Sequence, residues 1–208
     1  MTITASFSTS LDGYIADPNG NVGPLFDWYQ NGDVEVPLPG YGLMLHMTPA
    51  SAAYWRQIMP TDDGAPGAFV CGRGVFDYTQ GWGGNPPGGN PTFVVTHRPG
   101  PEGFPTTPGG PPFTFVHDGV ESAIEQARAV ARGGDIGLSG ASIVQQAINA
   151  RLVDEICIDL VPVFLGKGVR YFTDMDPTIT LEGPIQVVEG KRAANTCATA
   201  STTKRLSG

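Results

Sequence analysis

The sequence predicts an α/β fold built on a central, mostly parallel sheet. Short apolar runs such as "AFVC", "TFVV" and "EICIDLV" alternate along the chain with segments of helical spacing, which is the pattern of βαβ units. Several runs end on small or basic residues just where a strand hands over to a loop or helix. The tail "IQVVEGKRAANTCATASTTKR" adds two weaker strands that suit an antiparallel C-terminal edge.

"TITASFST" opens the chain as a strand and stops at the Asp12-Gly13 turn signal, with "YIADPNGN" continuing as loop. Residues 22–50 are mixed and punctuated by Gly and Pro, consistent with a surface excursion. "TPASAAYWRQIM" predicts a helix with Thr48 as N-cap and Pro49 in the first turn. "GAFVCGRGVFD" contains a buried strand, 68–71, that breaks at Gly72. Residues 81–112 hold 18 glycines and prolines in 32 positions, yet "TFVVTH" sits among them as an apolar island and predicts a strand between irregular loops.

"FTFVHD" is a further strand, and Asp118 followed by Glu121 reads as a capping box. Ala123, Ile124, Ala127, Val130 and Ala131 continue at helical spacing. "DIGLSG" is a strand, and Ile143, Val144, Ala147 and Ile148 mark the next helix. "EICIDLVPVFLG" predicts a long strand stopped by Gly166. At 208 residues the chain suits a single domain, 1–208, with 22–50 and 81–112 as loop-rich insertions.

Twelve basic against twenty acidic residues give a net charge of −8, which disfavours a polyanionic nucleic-acid partner. The first basic residue is Arg56, so the N-terminal stretch lacks the basic region of a secretory signal, and no run is long and apolar enough for a membrane span. Cys71, Cys157 and Cys197 are scattered, with no C-x-x-C spacing. They are expected to be reduced, packed thiols in a cytoplasmic protein, with no zinc or other metal site.

"GLSGA" (137–141) approximates the nucleophile elbow of a hydrolase. That fold needs a histidine after the serine, whereas His46, His97 and His117 all precede Ser139. Ser139 is therefore a small turn residue rather than a nucleophile. No G-x-x-x-x-G-K-[ST], H-E-x-x-H or G-x-G-x-x-G pattern occurs, nor the signature of a zinc deaminase.

Three strand ends remain as a constellation: Gly72-Arg73, Thr96-His97-Arg98 and Ser139-Gly140-Ala141-Ser142, the last leading into Ile143. In an open parallel sheet, ligands bind outside the carboxyl ends of strands. A helix N-terminus after Ser139 offers amides to a pyrophosphate. Arg73, His97 and Arg98 can neutralise a further phosphate on a ribose, in a chain where basic residues are scarce.

Four stretches carry a resemblance: "STSLDGYIA" (8–16), "VCGRGVFDY" (70–78), "PTFVVTHRP" (91–99) and "GLSGASIVQQAINARLVDEICIDLVPVFLGKGVRYF" (137–172). In order and rough spacing the chain resembles the dihydrofolate-reductase-like superfamily. Within it, the chain more closely resembles the reductase domain of bifunctional riboflavin-biosynthesis deaminase/reductases. The resemblance implies a three-layer α/β fold and NADPH as cofactor. It sets Gly72 and Arg73 against the cofactor phosphates, and Thr96, His97 and Arg98 at the adenosine ribose and its phosphate. Ser139, Gly140 and Ala141 fall at the pyrophosphate with Ser142 and Ile143 beside them, and Ile15 and Ala16 along the nicotinamide. The family carries two glycines where this chain has Ser139-Gly140, and the deaminase domain has no counterpart here.

The implied reaction is hydride transfer to a small heterocyclic or carbonyl substrate, with a ribosylamino-uracil phosphate as the named candidate. Asp12 is then the nearest carboxylate, supplying a proton or ordering the water that does, unless it only shapes its turn. Lys167 and Arg170 are the candidate partners for a substrate phosphate. Two alternatives stand beside this reading: a pterin or dihydrofolate-type reductase, and a non-catalytic nucleotide-binding module of the same fold. The pterin reading expects an acid on the first helix, and "TPASAAYWRQIM" has none. A homodimer is a family-level expectation.

Overall fold

The computed structural model describes residues 1–38, 43–58, 67–102, 104, 112–173, 175, 179–191 and 194–200, the last by backbone alone. The remaining parts of the 22–50 and 81–112 segments, Met59, and residues 201–205 of the tail lie outside this set. In chain order the strands begin with β1 (Ile3–Ser10), β2 (Tyr14–Ala16), β3 (Val34–Leu38) and β4 (Leu43–Met47). Helix α1 (Pro49–Ile58), β5 (Gly67–Gly72), α2 (Arg73–Tyr78), β6 (Thr92–Val95) and β7 (Phe113–Val116) follow. The second half holds α3 (Val120–Val130), β8 (Asp135–Ser139), α4 (Ala141–Asn149) and β9 (Glu155–Val161). Then come β10 (Val169–Arg170), β11 (Leu181–Glu189) and β12 (Ala194–Ala200).

Eight strands form one sheet in the order β11-β12-β9-β1-β8-β5-β6-β7. The six from β9 to β7 run parallel, and β12 and β11 close the β9 edge antiparallel. From β1 the chain winds out through β5, β6 and β7, then returns to fill the gap between β1 and β5 with β8.

Successive strand side chains point to opposite faces, and the two faces have separate cores. Ala68, Val70, Ile136 and Leu138 join Ala123, Ile124 and Ala127 of α3 and Ile143, Val144 and Ala147 of α4 in the largest cluster. Cys71, Val94 and Phe113 face the other way, onto Phe76 of α2 and Trp82. Beyond β1 on that second face, α1 packs with the 22–50 segment through Leu25, Trp28, Val36, Leu45, Met47 and Trp55. The result is three layers with the sheet in the middle.

Several elements differ from the sequence expectation. Residues 14–16 are a strand rather than loop, because β10 pairs with them from 153 residues away in the Val169–Ala16 register. The 22–50 segment is not irregular throughout: a 3-10 turn, Gly23–Tyr29, leads to the β3–β4 hairpin, whose Val36, Leu45 and Met47 are buried. Asp118 does not cap α3. The cap is Gly119, at φ 104°, and no side chain supplies the bond. The long strand ends at Val161 rather than Gly166, since Pro162 has no amide with which to continue a ladder.

The thiols are not all reduced either. Cys71 is free and buried, but Cys157 is disulfide-bonded, and the β9–β12 register sets Cys197 opposite it. That antiparallel pairing across a sheet edge leaves no trace in cysteine spacing. Among the described residues no helix is long and apolar enough to cross a membrane.

Candidate nucleotide and substrate site

The parallel strands deliver their carboxyl ends to one edge of the sheet, and the register aligns them. Cys71 lies opposite Ser139, and Gly72 opposite Val95. The turns that follow β8, β5 and β6 therefore stand side by side at one level. With neighbouring strands about 4.8 Å apart, the β1 loop and the β6 turn are separated by about 14 Å across the sheet. The turn after β8 occupies the place where the winding direction changes, the usual position for a ligand in such folds.

Gly140 is the N-cap of α4 at φ 98°, with no side-chain cap. The first helical bond runs from the Val144 amide to the Gly140 carbonyl. The amides of Ala141, Ser142 and Ile143 thus precede the ladder and point out of the helix. Two glycines let this turn pack against its neighbour. A Cβ on Gly140 would come within 3.2 Å of Val75 Cγ2, and one on Gly72 within 3.1 Å of Ile143 Cγ1. Ser139 remains in the strand, half-buried and paired with Cys71.

Arg73 is the first residue of α2, with its side chain 17 % exposed. Its Nε donates to Asp77 Oδ1 at 2.6 Å and its Nη1 to the Pro99 carbonyl at 2.9 Å. Arg98, reaching from the β6 turn, donates from Nη2 to Asp77 Oδ2 at 3.0 Å. Thr96 is buried and shapes that turn: its Oγ1 accepts the Arg98 amide at 3.0 Å. The Thr96 carbonyl lies 2.8 Å from His117 Nδ1, and since a carbonyl only accepts, that nitrogen carries a proton. His97 is exposed beside Arg98. The structure thus brings together the three strand ends read from the sequence, with Asp77 and His117 as unforeseen supports.

On the other side of β8, Asp12 is held by three donors. Ser10 Oγ donates to its Oδ1 at 2.6 Å, and the amides of Leu165 and Gly166 donate at 3.2 and 2.7 Å. The Ser10 hydroxyl foremost, then the two amides, hold its carboxyl below the ordinary value of 3.8, so it is ionised near neutrality. Asp12 ties the β1 turn to the loop 165–168. Gly168, at φ 148°, closes that loop so tightly on Ala16 that a Cβ there would overlap the Ala16 carbonyl. Ile15 is buried in the main core, and Ala16 pairs with Val169. Lys167 is exposed on the same loop and Arg170 is exposed in β10 just after it, with its guanidinium 4.6 Å from the centroid of the Tyr14 ring.

One polar group was not read from the sequence. Asp159 is 2 % exposed in the middle of β9. Ser8 Oγ lies 3.4 Å from its Oδ2, and Trp28 Nε1 donates to Ser8 Oγ at 3.1 Å. Tyr54 of α1 hydrogen-bonds to Asp159, and burial together with that nearby carboxylate pushes the Tyr54 phenol well above its ordinary value. An aspartate inside the apolar run "EICIDLV" was the available signal, since a carboxylate is rarely buried without partners.

No protein-family model matches the sequence, and no curated protein matches it. Solved structures do match. A protein described as a riboflavin biosynthesis protein from Shewanella sp. PV-4 is 22 % identical, with a TM-score of 0.64 over 96 % of this chain and 99 % of that one. The diaminohydroxyphosphoribosylaminopyrimidine deaminase/5-amino-6-(5-phosphoribosylamino)uracil reductase of Thermotoga maritima is 13 % identical, with a TM-score of 0.57. RibD of Acinetobacter baumannii is 12 % identical, with a TM-score of 0.62. This chain spans only 56 % and 58 % of the lengths of those last two proteins. With its six parallel strands, antiparallel edge and flanking helices, the chain has the dihydrofolate-reductase-like fold that these structures share.

Proposed function

We propose that the protein is an NADPH-dependent reductase acting on a small heterocyclic or carbonyl substrate. The carrying observation is the alignment of three turns at one sheet edge with two arginines gathered at its end. The residues fit the cofactor. The glycines at 72 and 140 leave no Cβ between the turns, and the amides of 141–143 face outward for a pyrophosphate. Arg73 and Arg98 supply the positive charge for a ribose phosphate, with Thr96 and His97 beside them. Bound there, NADPH supplies a hydride.

The chain's own residues then bind and orient. Asp12, anchored by three donors, fixes the loop that carries Lys167 and leads into Arg170, and in this reading these two cations take a substrate phosphate. Because Asp12 is ionised, the proton for the reduced atom comes from water ordered at this carboxylate rather than from Asp12 itself. The substrate named for the Thermotoga protein, 5-amino-6-(5-phosphoribosylamino)uracil, is the first candidate, being both heterocyclic and phosphorylated.

The test is a fluorescence titration with NADPH followed by turnover assays on a panel of acceptors. Saturable binding and NADPH oxidation with one acceptor are expected. Replacing Arg73 and Arg98 together by Ala should weaken NADPH far more than NADH, and equal loss for both would remove the phosphate assignment. The engagement of both Asp12 oxygens by Ser10 and the Leu165 and Gly166 amides favours one second reading, a nucleotide-binding module without turnover, which binding without oxidation of any acceptor would support. A second copy of the chain is the proposed partner, checked by size-exclusion chromatography with light scattering.

A further inference from the structure

The nucleotide reading uses Arg73 and Arg98 but leaves Asp77, the carboxylate between them, without a role. Its two oxygens are divided: Oδ1 takes Arg73 Nε at 2.6 Å and Oδ2 takes Arg98 Nη2 at 3.0 Å. One carboxylate therefore bridges two guanidinium groups that come from different strand ends. The Pro99 carbonyl takes a third contact, from Arg73 Nη1 at 2.9 Å, so Arg73 is held twice.

Surface ion pairs contribute little to stability, because holding long side chains costs entropy and water screens the charges. Asp77 is 42 % exposed and Arg98 66 %, so stability is a poor explanation for the Arg98–Asp77 pair, while Arg73, 17 % exposed, is the member anchored against the fold. What the bridge does provide is geometry. Two like charges drawn this close repel each other when the carboxylate is absent, and Arg98 then samples many rotamers. With Asp77 in place both forks are ordered before a ligand arrives, which removes a cost otherwise met on binding. The cluster keeps a net charge of +1, and each arginine retains N–H donors that Asp77 does not use. A phosphate dianion is the ligand such a fork pair suits.

We propose that Asp77 is the positioning residue of the ribose-phosphate subsite, and that it sets the preference for a 2′-phosphorylated nucleotide by holding Arg73 and Arg98 as one preorganised clamp. The proposal rests on the nucleotide reading above. It also runs against simple charge counting, by which removing an acidic residue next to a phosphate site should strengthen binding.

The experiment measures dissociation constants for NADPH and NADH, with 2′,5′-ADP and 5′-AMP as fragments, on wild type, Asp77→Ala, Asp77→Glu and Asp77→Ala in an Arg73→Ala/Arg98→Ala background. Losing one charge-assisted contact network should weaken NADPH and 2′,5′-ADP about tenfold in Asp77→Ala, with NADH and 5′-AMP unchanged. Asp77→Glu should restore part of the preference. In the background lacking both arginines, Asp77→Ala should have no further effect, since the residue acts through them.

Tighter NADPH binding by Asp77→Ala would overturn the proposal in favour of plain charge repulsion. Loss of NADH in that variant would also overturn it, by showing that Asp77 contacts the ribose hydroxyls directly. Wild type that prefers NADPH while Asp77→Ala keeps the same preference rejects the positioning role alone. Wild type that binds neither nucleotide rejects the underlying reading instead.

Discussion

At Asp12 three donors converge on one carboxylate, and this imposes a pH dependence of defined sign. The folded state holds the proton less tightly than the unfolded chain, because the Ser10 hydroxyl and the Leu165 and Gly166 amides bond to the ionised form. A depressed carboxyl contributes stability above its unfolded value, and that contribution disappears as the pH falls through the folded value. Asp12→Asn should therefore be less stable than wild type near neutrality, and the two should converge in acid, below the ordinary value of 3.8. Urea midpoints followed from neutral to acidic pH check this. At the neighbouring turn, Ser139→Gly should preserve NADPH binding, because the serine stays in the strand and the conformationally demanding position is Gly140. Gly140→Ala, by contrast, forces a Cβ into positive φ and against Val75, and should cost about 1–3 kcal/mol in a urea titration. The strand-end residues Gly72, Thr96 and Ser139 were legible in the sequence because a strand's end is marked locally. Asp77 was legible in principle, four residues after Arg73 on a helix. His117 was not, because its partner is the Thr96 carbonyl, just past the adjacent strand, and only the β6–β7 pairing brings them together.

Local signals also decide which elements could be foreseen. The α1 start was written in Thr48-Pro49, and the Thr48 hydroxyl does accept the Ser51 amide at 3.2 Å. Thr48→Ala should lower stability by about 1 kcal/mol, measured by chemical denaturation. The α3 start was misread, since Asp118 and Glu121 have the spacing of a capping box while Gly119 supplies the φ of 104° that the chain needs there. β2 and β10 are too short to show a period of two and exist because each pairs with the other. The β3–β4 hairpin was hidden for a similar reason. Its buried positions, Val36, Leu45 and Met47, are scattered among exposed apolar residues such as Leu43 and Met44, so no clean alternation reaches the sequence.

For the molecule as a whole, the class and the direction of the sheet followed from alternation, but strand order did not. Nothing in the sequence places β8 between β1 and β5, because that arrangement is decided by which apolar faces α3 and α4 cover once the chain has returned. The same limit applies to the cysteines: a β9–β12 register that sets Cys197 opposite Cys157 is a property of the sheet edge.

The position of β8 bears on how the molecule assembles. β1 and β5 are separated by the strand that arrives last among the three, so the sheet's centre stays open until residues 135–139 are seated. Non-local parallel pairings of this kind close slowly, and the turn before α4 has no neighbours until they do. The proposed nucleotide site is consequently a product of seating β8 between its neighbours rather than of any one unit. In refolding from urea, recovery of the far-ultraviolet signal should precede recovery of NADPH fluorescence enhancement. Ligand added during refolding should raise the final yield without hastening the early phase, because there is nothing for it to grip until the middle strand is home.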